Sequence, residues 1–163
     1  MTTMTGQRNW VQLSPADAKR HPLYGLEGWL VVWLAYLIVT IALTILSIAD
    51  PAQRLRLDQH YHQHASLVMS LHVIILIALI ATFVLGVLRD RRFPAVAVAT
   101  LSADIALNIV LATYLYLMGS QAVRVFAIVS ILLSTAVRGL MIGYIVLSRR
   151  INVTYLGRIR ATE

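Results

Sequence analysis

Apolar residues along this chain gather into four long blocks instead of alternating as in a half-buried strand. The blocks cover residues 29–48, 67–88, 95–118 and 125–147. Each reaches the roughly 20 residues needed to cross about 30 Å of hydrocarbon. Lipid offers the backbone no hydrogen-bond partner, so each block must be a helix, and four strands of this length would close no barrel. The pattern predicts an all-α polytopic membrane protein, a four-transmembrane-helix bundle over residues 29–148. Residues 1–28 form an N-terminal segment before it, and residues 149–163 a basic tail after it.

Polar stretches between the blocks supply the smaller elements. In SPADAKR, residues 14–20, Ser14 stands as a helix cap and Pro15 at the first helical position, while Pro22 limits the length. This predicts a short interfacial helix. In DPAQRLRLDQHYHQH, residues 50–64, Asp50 and Pro51 repeat the signal and predict a helix that extends the second span. DRRFP, residues 90–94, leaves about five residues between spans two and three, which makes them antiparallel neighbours. The link around Gly119, Ser120 and Gln121 is as short and pairs spans three and four in the same way.

Polar residues inside the spans are few and regularly placed. Thr100, Asp104 and Asn108 recur at i, i+4 and i+8 in span three. Ser130, Ser134 and Arg138 do so in span four, and Tyr36, Thr40 and Thr44 in span one. That spacing puts each triplet on one helix face. Asp104 and Arg138 each lie about ten residues from the same end of the hairpin, so both sit about 15 Å deep at 1.5 Å per residue. A bare charge at that depth is very costly, and intramembrane charges pair within the bundle interior. Asp104 and Arg138 are therefore expected to meet, with Asn108, Ser134 and Thr100 in one polar network. Two readings stand for it: a lock that holds the hairpin, or a relay or pocket for a proton, ion or polar ligand.

Composition agrees with the blocks. The chain is 59% hydrophobic, with mean hydropathy +0.76. Its 13% of charged residues is about half the usual soluble share of about 25%. Cysteine is absent, which excludes disulfides, thiolate metal sites and cysteine nucleophiles. The net charge is +7, and thirteen of the fourteen basic residues are arginine. These cluster at span ends, as topology control and anionic headgroups require, so a lipid bilayer is the expected partner and nucleic acid is not. The N-terminal segment, the turn after span two and the tail carry ten basic residues, whereas the opposite loops carry Arg54, Arg56 and Arg124. The positive-inside rule then puts both termini in the cytoplasm of a bacterial inner membrane. Ser47-Ile48-Ala49 imitates a cleavage site, but span one is too long for a signal-peptide core and is expected to stay as an anchor.

His60, His62 and His64 form an external cluster. On a helix His60 and His64 would share a face and offer two imidazoles to zinc or copper, with no clear further ligand. No Ser-His-Asp arrangement, HExxH motif, phosphate-binding glycine loop or facing pair of haem histidines occurs, so catalytic machinery and resident cofactors are not expected.

PLYGLEGWLVVWLAYLI, residues 22–38, contains Gly25, Gly28, Trp29 and Leu30 at the entry to span one. Ser148-Arg149-Arg150-Ile151-Asn152-Val153-Thr154-Tyr155 closes span four. Both resemble the end motifs of a family of small bacterial membrane proteins, domain of unknown function 2569. Those motifs read Gly-Gly-Trp-Leu and Ser-Lys-Arg-Val-x-x-Thr-Phe. Glu27 stands where that pattern has glycine. The resemblance implies four spans and cytoplasmic termini, and no particular chemistry. Physically, Trp29 and Trp33 are expected as rings at headgroup level, with Arg149, Arg150 and Tyr155 anchoring the other end. Glu27 is within reach of those arginines. The expected function is an accessory or assembly subunit of a larger membrane complex. The alternatives are a small oligomeric transporter or channel with a path along Asp104, Asn108 and Arg138, and a metal-responsive protein using His60 and His64.

Overall fold

The computed structural model describes residues 10–50, 65–118 and 121–160. Among them are a strand β1 (Trp10–Gln12), a short helix α1 (Pro15–Arg20), and four long helices, α2 (Trp29–Ala49), α3 (Ala65–Val87), α4 (Phe93–Met118) and α5 (Gln121–Leu147). A last helix α6 (Arg149–Leu156) and strand β2 (Arg158–Arg160) follow. The four long helices are long and apolar enough to cross a membrane, and they coincide with the four blocks. This is an all-α polytopic membrane protein.

Local chemistry sets where each helix starts and stops. Ser14 Oγ accepts the Asp17 N–H at 3.2 Å and caps α1, with Pro15 in its first turn. Gly28, at φ 58°, precedes α2 in a backbone conformation that a side chain would strain. α3 ends in a Schellman turn, where the Asp90 N–H reaches Leu85 O at 3.0 Å and the Arg89 N–H reaches Gly86 O at 3.3 Å. Asp90 then opens the next helix by accepting the Arg92 N–H on Oδ1 at 2.7 Å.

The long helices pack mainly in sequence order, α2 on α3, α3 on α4 and α4 on α5. Their shared core is off-centre. Leu30, Trp33, Leu34 and Leu37 of α2 meet Leu79 of α3, Phe93, Ala97 and Leu101 of α4, and Ile145 of α5. Ile151 and Tyr155 of α6 complete it, so the core lies toward the end that carries the 88–92 turn and α6. Phe93 is its centre, edge-on to Trp33 at 5.1 Å and stacked on Tyr155 at 4.3 Å. Gly86 makes room for it, since a Cβ there would stand 3.0 Å from both Leu34 Cδ2 and the Phe93 ring.

The tail of residues 149–163 is more than a basic extension, because α6 and β2 fold back over this end. Ser148 Oγ caps α6 at the Ile151 N–H, 3.4 Å away. Gly157, in the left-handed region at φ 58°, ends it. β2 then pairs antiparallel with β1, matching Trp10 with Arg160, Val11 with Ile159 and Gln12 with Arg158. Strands were not expected from the sequence, because three residues are too few to show a period. The pairing brings residues 10–12 and 158–160 together at the end of the bundle that carries α6, where Gln12 bonds Leu156 O and Arg158 bonds Asn152.

Trp33 corrects one expectation. It was placed with Trp29 at headgroup level, yet Trp29 is 73% exposed and Trp33 only 1%. One helical turn separates the two, and only Trp33 faces α4. Its Nε1 has no hydrogen-bond partner among the described residues. Tyr155, expected as an anchor, is likewise a core side chain.

Candidate functional site

The α4–α5 hairpin brings the two intramembrane charges together. Arg138 donates from Nε to Asp104 Oδ2, and the side chains are 15% and 8% exposed. Asn108, one turn along α4, donates from Nδ2 to Asp104 Oδ1 at 3.0 Å and to Asp104 O at 2.7 Å. Both carboxylate oxygens therefore have a donor. Each charge alone in the middle of a span would cost about 2.5–3.5 kcal/mol on the insertion scale, and pairing removes most of that. Because α4 and α5 run antiparallel from one short link, residues at equal depth meet.

The other predicted members of the network go elsewhere. Thr100 is buried one turn from Asp104 but faces α3, where its Oγ1 lies 3.1 Å from Thr82 Oγ1. Thr82 gives its one hydroxyl proton to Ala78 O at 2.7 Å, which makes Thr100 the donor between the helices. Ser134 bonds Ile131 O of its own helix at 3.3 Å, so it does not join Asp104. Ser130 is exposed. Thr40 and Thr44 likewise return their protons to Tyr36 O and Thr40 O within α2. A hydroxyl one turn from a carbonyl can satisfy itself, and for that reason an i, i+4 stripe of Ser and Thr does not by itself predict a seam. Thr82 was missed by the sequence reading. Its signal was depth, since it lies near the Val87 end of α3 as Thr100 lies near the Phe93 end of α4.

The residues of the two end motifs meet. The Gly25 N–H donates to Thr154 Oγ1 at 3.2 Å, and Thr154 Oγ1 in turn reaches Leu23 O at 3.4 Å. Tyr155 Oη donates to Gly86 O at 2.8 Å, tying α6 to α3. Burial holds this hydroxyl well above its usual pKa, an effect that the Arg89 charge partly offsets. Arg158 Nε donates to Asn152 Oδ1 at 2.8 Å, and Gln12 Nε2 to Leu156 O at 3.1 Å. The buried polar groups of α6 are thus paired, as burial requires. Glu27 and Arg150 approach to 3.4 Å, but Glu27 is 72% exposed, so the pair contributes little. Arg149 is exposed beside it.

His60 and His64, with the helix expected around them, lie outside the described residues. Among the described residues no group of three metal-ligating side chains occurs. No family model, curated protein or solved structure matches the chain.

Proposed function

We propose that this protein is a non-catalytic accessory or assembly subunit of a larger membrane complex, seated in a bacterial inner membrane with both termini cytoplasmic. The supporting observation is the outer face of α5. Only 6% of its spanning window is buried within the molecule, against 17%, 17% and 22% for the other three spans. Thr135, Ala136, Gly139, Leu140, Gly143 and Leu147 line an open, mostly apolar groove of about 780 Å³ along it. Nothing stands within 4 Å of a Cβ built on Gly139 or Gly143. Gly139 and Gly143 have the spacing at which membrane helices approach backbone to backbone, so the occupant this face suits is a transmembrane helix of the partner.

The polar interior fits the same reading, because Asp104 is occupied by Arg138 and Asn108 in the manner of a lock. The two end motifs resemble those of a four-span family with cytoplasmic termini, which agrees with the orientation proposed here. The test is a mild-detergent pull-down at native expression, using wild type and Gly139→Leu/Gly143→Leu. A stoichiometric membrane partner that is lost from the variant at equal abundance supports the proposal. Recovery of the wild-type chain alone, or only with copies of itself, overturns it.

A further inference from the structure

The turn between α3 and α4 presents Arg91 and Arg92, both exposed. Among the described residues neither guanidinium has a hydrogen-bond or ion-pair partner. The one acid in the turn, Asp90, uses its Oδ1 on the Arg92 backbone N–H. Arg89 is also held, its guanidinium 5.2 Å from the centre of the Tyr24 ring. Among the described residues, the other cations of this end include Lys19, Arg20, Arg149, Arg150 and Arg158, whereas its acids are Asp17, Glu27 and Asp90. Asp17 is tied to Ser14 and Glu27 to Arg150. Among the described residues, cations of this end thus outnumber the acids, and Arg91 and Arg92 are not neutralised.

Geometry limits what can neutralise it. Residues 88–92 must leave one span and enter the next. A five-residue excursion out and back reaches less than about 10 Å at about 3.5 Å per residue. The headgroup layer on each side of the hydrocarbon is about 5–8 Å thick. Arg91 and Arg92 therefore lie within or at the edge of the phosphate layer whatever their rotamers. A guanidinium offers a planar fork that matches phosphate oxygens two at a time.

We propose that the 88–92 turn is a binding site for anionic phospholipid, with Arg91 and Arg92 holding the headgroup phosphate and the remaining cations of this end favouring lipids of net negative charge. The site does not depend on the accessory-subunit reading.

The experiment is native mass spectrometry of the protein released from micelles holding equal amounts of phosphatidylglycerol and phosphatidylcholine. Wild type is expected to retain mainly phosphatidylglycerol. Arg91→Gln/Arg92→Gln should lose that preference by about five-fold for each arginine removed. Arg124→Gln, which alters a cation at the opposite end of α5, should keep it. A thermal melt in detergent checks that the variants remain folded, and Arg91→Lys/Arg92→Lys, which keeps charge but not the fork, should fall between. Equal retention of the two lipids by wild type overturns the proposal, as does full preference in Arg91→Gln/Arg92→Gln. Loss of the preference in excess inorganic phosphate at constant ionic strength would assign the turn to a free anion and overturn the lipid assignment.

Discussion

At the scale of single residues, most polar groups in the interior of this membrane protein take the nearest partner that geometry offers, while Trp33 Nε1 and Thr135 Oγ1 have none among the described residues. Thr40, Thr44 and Ser134 find a carbonyl on their own helix. Asp104 finds no free donor in the helix backbone and receives one from the Asn108 side chain on Oδ1, which leaves Oδ2 without a donor on its own helix. It therefore reaches across to Arg138. Removing one partner leaves the other charge exposed to lipid, so Asp104→Ala or Arg138→Ala should each cost about 3 kcal/mol and lower membrane abundance. The exchange Asp104→Arg with Arg138→Asp should restore part of it. Abundance on quantitative membrane immunoblots checks this, and normal levels in both single variants would refute the lock. Thr82→Val should cost less, about 1 kcal/mol in a detergent melt, because it removes the acceptor for the Thr100 proton.

At the scale of elements, α6 is held by tertiary contacts. Eight residues are too few for a stable isolated helix. Its support is Tyr155, stacked on Phe93 and bonded to Gly86 O. Tyr155→Phe keeps the stack and drops the bond, so it should destabilise by about 1 kcal/mol in a thermal melt. The raised Tyr155 pKa also has a consequence. Folding favours the neutral hydroxyl, so its contribution is complete below the unfolded value of about 10 and declines as pH rises toward the higher folded value. Wild type should therefore lose stability above about pH 10 more steeply than Tyr155→Phe. The turn before α4 is also informative. Arg89 occupies the left-handed position, φ 57°, where glycine is preferred, and its ring contact with Tyr24 accompanies that strain. Arg89→Gly should be close to neutral, because relief of about 1 kcal/mol offsets the lost contact. Arg89→Ala keeps the strain, loses the contact and should melt lower.

At the scale of the whole molecule, the four helices share a core at one end and leave much of their apolar surface to lipid or to a partner. Leu43, Leu46, Val110, Leu117, Leu132 and Leu140 are all exposed. In water such a surface would aggregate, whereas in a bilayer it is the ordinary boundary with acyl chains. The β1–β2 ribbon gathers both ends of the described chain at the α6 end of the bundle. With the charge bias, this predicts that alkaline phosphatase fused after residue 163 is inactive and that the same enzyme inserted at residue 55 is active. The reverse pattern would invert the orientation.

The sequence by itself determined the four spans, the hairpin order and the meeting of Asp104 with Arg138. Hydrocarbon thickness sets helix length, and short links set which residues share a depth, so both follow from counting along the chain. Ser14 and Pro15 at the start of α1 were legible for the same reason, because a cap acts within one turn. Tertiary structure decided what counting does not reach. It placed Trp33 inside and Trp29 outside, and it sent Thr100 to Thr82 instead of Asp104. It turned a basic tail into α6 and β2 folded over the bundle, and left α5 with an open face. Those outcomes depend on the rotation of each helix about its axis and on contacts between residues more than a hundred positions apart, such as Gly25 with Thr154. A hydrophobic pattern that is apolar on every side of a helix carries no signal for that rotation.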